Sequence, residues 1–271
     1  MQNDLNENLL RHMILNSLRM HNLKLKQEYG QIYIACDHRS WRKSAYPQYK
    51  AARSKNRERS DLDWDEIFSW VGKIKQELDE FSPYRVIHVE QAEADDIIAV
   101  LVETTQEFGK CEPVKIVSND KDFLQLQKYS NVSQYAPVLK RTLTEKDPRR
   151  YLFEHIVRGD AGDGVPNIFS DDDVFITEGK RQSPVSKKKL EALYQSWLQG
   201  DIQFEKIEHK RNFQRNQKMV DLGQIPDDVR ERILDRFNEV NTLPTPSSTT
   251  FMTYLIKNRC KQLVANLTEF Y

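Results

Sequence analysis

The chain has 271 residues, 30% of them charged, with 41 Lys plus Arg against 41 Asp plus Glu and a formal net charge of zero at pH 7. That length supports a sizeable core in one large domain or one and a half. The neutral balance excludes binding driven by bulk charge but leaves room for a basic groove set against an acidic pocket. Cys36, Cys111 and Cys260 are odd in number, far apart and without a CxxC pair, which excludes a disulfide frame and a zinc site. No apolar run reaches the length of a membrane span and no signal peptide opens the chain, so a soluble, cytoplasmic protein is expected.

Leu10, Ile14, Leu15 and Leu18 recur at spacings of three and four, which predicts a helix over 9–25 stopped at Tyr29-Gly30. QIYIACD, residues 31–37, then reads as a strand buried on both faces, as in a parallel sheet, ending in Asp37. An acid there either caps a loop or stands on the sheet edge where α/β proteins place ligands. From Arg39 to Arg59 cations are dense, acids nearly absent, and Trp41, Tyr46 and Tyr49 are interleaved. Such a stretch is either a solvated loop or, as composition favours, a nucleic-acid contact in which cations neutralise phosphates and rings stack on bases. Helical spacing would put Tyr46, Lys50 and Arg53 on one face.

Asp61 or Asp63 caps a predicted helix over 64–81, with Ile67, Phe68, Val71, Ile74 and Leu78 as its buried stripe. Ser82-Pro83 ends it, and RVIHV follows as a second strand, with His88 read as structural. Next comes EQAEADDIIA, where Glu93, Asp95 and Asp96 fall within four residues, directly before an apolar run. Acids so close repel and are costly to desolvate. They read either as an acidic first helical turn, favoured by the macrodipole, or as oxygen ligands of a divalent cation. A third strand at 115–117 runs into SNDKDF, which places Asp120 and Asp122 on the same edge before a short helix. Strand, acid and helix three times over is βαβ logic with ligands converging on one face, and the cation reading leads.

Residues 133–142 read as a strand or hairpin and 146–157 as a helix, followed by RGDAGDGVPNI. Gly159, Gly162 and Gly164 allow a tight turn that presents backbone groups, and Asp160 and Asp163 add two acids. Asp171 to Asp173 read as a solvated loop or cap, and 178–189 as a flexible basic span. Helices are expected over 189–198, 205–220, 227–240 and 249–267.

The strand ending in Asp37, the basic 46–53 segment, EADD at 93–96, SNDKDF at 118–123 and GDAGDGVP at 159–166 together resemble the flap endonuclease and 5′-nuclease family, over nearly the whole chain. The resemblance implies an α/β fold. Its PIN-like nuclease core, a mainly parallel sheet flanked by helices, would span 1–157 and include a basic arch at 39–62. A helical duplex-binding region with a helix-turn-helix-type loop would span 158–271. It implies a Mg2+-dependent 5′→3′ exonuclease and flap endonuclease with RNase H activity that removes RNA primers and adjacent DNA on the lagging strand.

By position, Asp37, Glu93, Asp95 and Asp120 resemble ligands of a first ion, and Asp122, Asp160 and Asp163 those of a second, with Asp96 completing the cluster. Mn2+ would substitute for Mg2+, and K+ would sit at the Gly159–Ile168 loop. Lys50 beside Tyr49 resembles the cation that reaches the scissile phosphate, with Arg53 assisting. Arg42, Lys43, Tyr46, Tyr49, Lys50, Arg53 and Lys55 in the arch, with Gly162 and Gly164 in the loop, resemble nucleic-acid contacts.

Expected partners are DNA and RNA–DNA duplexes with 5′ ends or flaps, a single-strand-binding protein and a sliding clamp, with no membrane, and the chain acting as a monomer. Two departures stand against the pattern. Family members open with a strand whose aspartate is another first-ion ligand, ahead of the helix at 9–25. Its absence here implies an internal start or a shortened form, and makes a catalytically impaired flap-binding or fork-binding protein the alternative. After Val165-Pro166, NIFSDDDVF replaces the usual Gly-rich hairpin, which weakens the K+ expectation.

Overall fold

The α/β character is present as two small sheets, each inside its own compact unit. The structure is a computed structural model that describes residues 5–271, with the side chains of residues 54–56 and 108 outside the description. The units interleave in sequence: one comprises Met1–Asp37, Ser60–Val89 and Arg232–Tyr271, the other His38–Arg59 and Glu90–Glu231. The expected division was instead a single cut after residue 157. No helix among the described residues is long and apolar enough to cross a membrane.

In the first unit, Asn6 caps α1 (Glu7–Tyr29) by accepting from the Leu9 amide, and Gly30 at φ 73° ends it. β1 (Tyr33–Cys36) pairs in parallel with β2 (Arg85–His88), with Tyr33 opposite Arg85 and Cys36 opposite His88. Asp63 caps α4 (Trp64–Phe81) through the Glu66 amide, as the sequence predicts. Only the second half of its apolar stripe is buried: Ile74 and Leu78 join Leu15, Val86, Phe251 and Phe270 in the core, whereas Phe68 and Val71 are exposed. Arg11, fully buried on α1, pairs with Glu7 and with Glu77 (2.8 Å), and Tyr254 donates to the same Glu77 (2.9 Å). The helix expected over 249–267 is broken into α10 (Ser248–Lys257), α11 (Lys261–Val264) and a final 3-10 turn. Arg259 at φ 59° turns the chain there, and Cys260 buries itself in the core.

In the second unit, β3 (Val114–Val117) runs parallel to β4 (Val132–Ala136), and β5 (Arg141–Leu143) closes the sheet antiparallel to β4. Two short helices, α2 (Arg42–Ala45) and α3 (Ala52–Glu58), occupy the basic stretch, and α5 (Ala94–Gln106) follows the EADD turn. The core gathers α6 (Pro148–Arg158), α7 (Lys187–Leu198) and α8 (Ile207–Val220) around Phe153, whose ring lies 5.0 Å from Trp197 and 5.2 Å from Tyr194. α9 (Asp227–Thr242) then carries the chain from this unit into the other. Between α6 and α7 the 28 residues Gly159–Ser186 hold no helix, so the helix-turn-helix expected at the Gly-rich loop has only its first helix.

Candidate metal centre and nucleic-acid interface

The EADD turn splits its acids between two jobs. Glu93 precedes α5, and its amide donates to Asp96 Oδ2 at 2.9 Å, so Asp96 caps the helix from inside. Asp96 is fully buried and pairs with Arg42 at 2.8 Å. Glu93 is also buried, and accepts from Ser40 Oγ (2.6 Å), Arg42 (3.0 Å), Tyr49 OH (3.1 Å) and Lys50 Nζ (2.5 Å). Burial pushes the Glu93 carboxyl up, but Lys50 and Arg42 outweigh it and hold it below the ordinary range. Arg42 in turn donates to the Met219 carbonyl (2.9 Å) at the end of α8.

Two expectations are corrected by this packing. Asp96 is sealed against Arg42 and capping its own helix, so it does not reach a cation. Arg42, 2% exposed and bonded to Glu93, Asp96 and the Met219 carbonyl, is an internal counter-ion rather than a phosphate contact. Asp95, half-buried between them in sequence, is turned elsewhere: its charge reaches Asp122.

The second acid group is built from three local structures. Asp120 accepts from the Asp122 amide (2.9 Å) and so caps a 3-10 helix, Lys121–Lys128, where a short α-helix was expected. α6 begins at the Asp147 cap with Pro148 in its first turn and delivers His155 to its last turn. Gly159 ends it at φ 67°, where a Cβ would lie 2.3 Å from the Val165 carbonyl oxygen, so only glycine fits. Asp160 Oδ1 then accepts from the amides of Gly162 (2.7 Å) and Asp163 (3.2 Å), which fixes the loop. Two buried asparagines on α8 hold the loop from behind. Asn216 donates to the Ile156 and Pro166 carbonyls, and Asn212 to those of Ile168 and Ser170.

Asp122, His155 and Asp160 meet so that one ligand atom of each lies within 4.8 Å of the others. They line an open pocket of about 850 Å³ together with Asp120 and Tyr151. Burial, then Asp120, Asp160, Asp95 and Asp163, push the Asp122 carboxyl up to about 8. Burial holds the His155 imidazole below its ordinary value although nearby acids oppose it, and its Nε2 is buried without a hydrogen bond. Tyr151 stacks on the ring at 6.1 Å.

Lys50 and Asp163 link the two acid groups. Lys50, at φ 56°, donates its amide to the Asp163 carbonyl (2.7 Å), and its ammonium lies 3.4 Å from the Asp163 carboxylate. Burial lowers the Lys50 ammonium's proton affinity, but Glu93 and Asp163 more than reverse that and raise it. Arg53 pairs with Asp163 at 2.5 Å and is half exposed. Tyr49 donates to Asp163 (2.9 Å) as well as to Glu93.

Tyr49 and Tyr46 are both buried in the core, Tyr46 donating to the Asp172 carbonyl (2.7 Å), so neither ring is a stacking platform and that expectation is corrected. Lys43 is exposed. The side chain of Lys55 lies outside the described residues. Gly162 is exposed, whereas Gly164, at φ 73°, is buried where a Cβ would lie 3.0 Å from the Gln48 carbonyl. Gly164 therefore serves the close approach of two loops. Asp37 is exposed after β1 and belongs to the first unit.

The sequence reading passed over His155, Ser40, Asn212 and Asn216. His155 had one local signal: it lies four residues after Tyr151 and five before Asp160, on the last turn before the glycine loop. The asparagines gave none, since an amide on an amphipathic helix reads as surface.

The donor set fits divalent cations. Asp95, Asp120, Asp122, Asp160 and Asp163 supply oxygens whose repulsion burial intensifies, and the orphaned Nε2 of His155 faces them.

Comparison with known proteins gives the family. Residues 7–154 match the family model of the 5′-3′ exonuclease N-terminal resolvase-like domain, and residues 147–270 that of the T4 RNase H C-terminal region. Ribonuclease H of Enterobacteria phage T4 is 31% identical over 98% of this chain and 88% of its own length. Among solved structures, the bacteriophage T5 D15 flap endonuclease in complex with DNA and metal ions aligns with TM-score 0.60 at 15% identity, covering 83% of this chain and 90% of that one. T5 5′-exonuclease with bound zinc aligns with TM-score 0.58 at the same identity and the same coverage of both chains. The chain belongs to the 5′→3′ exonuclease family, whose members are nucleic-acid hydrolases.

Proposed function

We propose that this protein is a Mg2+-dependent 5′→3′ exonuclease and flap endonuclease that hydrolyses phosphodiester bonds at 5′ ends and flaps of DNA and RNA–DNA duplexes. In a phage replication setting it would remove RNA primers and adjacent DNA from lagging-strand fragments in the host cytoplasm. The observation that supports this best is the convergence of Asp95, Asp120, Asp122, Asp160 and Asp163, three separate turns of chain, on one half-buried cluster where Asp122 is pushed up to about 8. A structural role would compensate such charge, as Arg42 compensates Asp96. Clustered acids in an open pocket, one of them strongly perturbed, mark a working site instead.

Two divalent cations bound there would offset charge on the scissile phosphate and lower the pKa of water. The chain's own part is to place the phosphate and exclude alternatives. Glu93 is held ionised by Lys50 and Arg42, and so stays an acceptor at neutral pH. Lys50 stands on the acids at the foot of the basic segment, within a side-chain rotation of a phosphate lying over them. Arg53, half exposed beside Asp163, offers a second phosphate contact. Ser40 and Tyr49 fix the Glu93 carboxylate so that it does not follow Lys50 when that side chain moves.

The test is cleavage of a 5′-labelled flapped duplex by the chain, in Mg2+ and in EDTA. Cleavage that requires Mg2+ is the expected result. Binding without cleavage in either condition would replace this reading with a flap-binding protein.

A further inference from the structure

We infer that His155 is a metal ligand, and that Asp122, His155 and Asp160 form a mixed nitrogen–oxygen site selective for a first-row transition divalent cation over Mg2+. The inference rests on the cation-dependent reading above and specifies which ion one of its two sites takes.

The geometry comes first. His155 Nε2 lies 3.6 Å from Asp122 Oδ1 and 4.0 Å from Asp160 Oδ2. Both separations exceed a hydrogen bond, and the nitrogen is buried with no other hydrogen-bond partner. A buried ring nitrogen facing two carboxylates without bonding either is costly unless something lies between them. Ligand atoms about 2.0–2.2 Å from a shared cation stand roughly 3.0–3.5 Å apart. The nitrogen–oxygen spacings therefore need to close by roughly half an ångström, and by up to about 1 Å at Asp160, on two rotatable carboxylates.

A protonated imidazole pairing with the acids is the plain alternative, but the ring nitrogen stands beyond hydrogen-bond distance of both carboxylates. Tyr151, stacked on the imidazole one helical turn earlier, fixes the plane of the ring. The backbone anchors each ligand: Asp122 through the capped 3-10 turn, His155 on the last turn of α6, and Asp160 by the amides it accepts from.

The chemistry sets the preference. Mg2+ favours all-oxygen octahedra and retains water, whereas an imidazole ligand suits first-row transition cations. All-oxygen sites suit Mg2+ as well as Mn2+, so a nitrogen donor shifts the preference toward the transition ion.

The test uses the full chain and Mn2+ as the probe. Pulsed electron paramagnetic resonance of the Mn2+-loaded protein is expected to show nitrogen-14 coupling from a directly bound imidazole. His155→Gln is expected to abolish that coupling and weaken the site's Mn2+ affinity tenfold or more, the scale on which loss of even an outer-shell partner acts. It is also expected to leave Mg2+ affinity within about threefold. Stoichiometric Mn2+ binding without nitrogen coupling in the unaltered protein would overturn the inference and leave the cation-dependent function standing. Failure to bind Mn2+ or Mg2+ at all would overturn both. The unaltered chain's spectrum decides the matter even if His155→Gln does not fold.

Discussion

Arg11 in the first unit and Asp122 in the second are both charged side chains withdrawn from water, yet their surroundings are opposite. Arg11 is met by Glu7, Glu77 and the Asn8 side chain, and Tyr254 completes the set on Glu77. Every partner there lowers the cost of burial, and the network ties α1, α4 and α10 together. Asp122 is met by Asp120, Asp160, Asp95 and Asp163, each of which raises the cost. The EADD turn holds both situations within one motif: Asp96 is compensated by Arg42, while Asp95 faces the other acids. Acidic clustering alone therefore does not mark a site, whereas a withdrawn acid whose neighbours are mainly other acids, as at Asp122, does.

The sharpest way to break this contrast is Asp95→Asn. Cation-dependent cleavage is expected to fall to background while flap binding stays intact or strengthens, because repulsion with phosphate falls. Unchanged turnover would remove Asp95 from the site. Next in size are the two internal cations. Arg42→Ala strands the buried carboxylates of Glu93 and Asp96, and Arg11→Ala removes a fully buried side chain and its pair with Glu77, so both are expected to lower stability in urea denaturation, Arg42→Ala by about 3–5 kcal/mol. Arg42→Ala is expected to disturb cleavage as well, since it frees Glu93, whereas Arg11→Ala at a permissive temperature is not. Equal loss of cleavage in both variants would erase the distinction between the two units.

Titration gives the third test. The Asp122 carboxyl moves from an ordinary 3.8 to about 8 on folding, so between those values the folded chain holds a proton that the unfolded chain has released. Its contribution to stability is full below pH 4 and is lost as pH rises through 8, at about 1.4 kcal/mol per unit as an upper bound. In EDTA, Asp122→Asn is expected to flatten that decline in a pH series of melting curves. A decline of the same slope in the variant would mean that Asp122 titrates normally. The smallest effects are expected in the arch. Lys50→Ala is expected to lower turnover more than affinity, and Arg53→Ala to change stability by less than about 0.5 kcal/mol, given its half-exposed pair. A pure affinity loss for Lys50→Ala would make that residue a phosphate anchor.

Much of this was legible where local chemistry decides structure. α4 begins after the Asp63 cap and ends before Ser82-Pro83, as its sequence signals, and the strand–acid–turn units at β2 and β3 stand where apolar runs meet acids. Elsewhere, long-range packing decided. Tyr46 and Tyr49 look like stacking rings among cations, but core packing and hydrogen bonds to Asp172 and Asp163 claim them. The break at Asn258–Cys260 follows from Arg259 turning to positive φ without glycine or proline to announce it. His155 belongs with Asp122, 33 residues earlier, and only the folded second unit brings them together.

The central claim is that the acid cluster around Asp122 carries more negative charge than the fold offsets, so that divalent cations complete it. The most direct measurement is the melting temperature of the chain with and without Mg2+ or Mn2+ at pH 7.5, compared with Asp122→Asn and Arg11→Ala. A ligand that binds the folded state raises its stability in proportion to the logarithm of its concentration over Kd. The account predicts a rise in the unaltered protein and in Arg11→Ala from its lower starting point, and a much smaller rise in Asp122→Asn. No rise in the unaltered protein, or a full rise in Asp122→Asn, would contradict it.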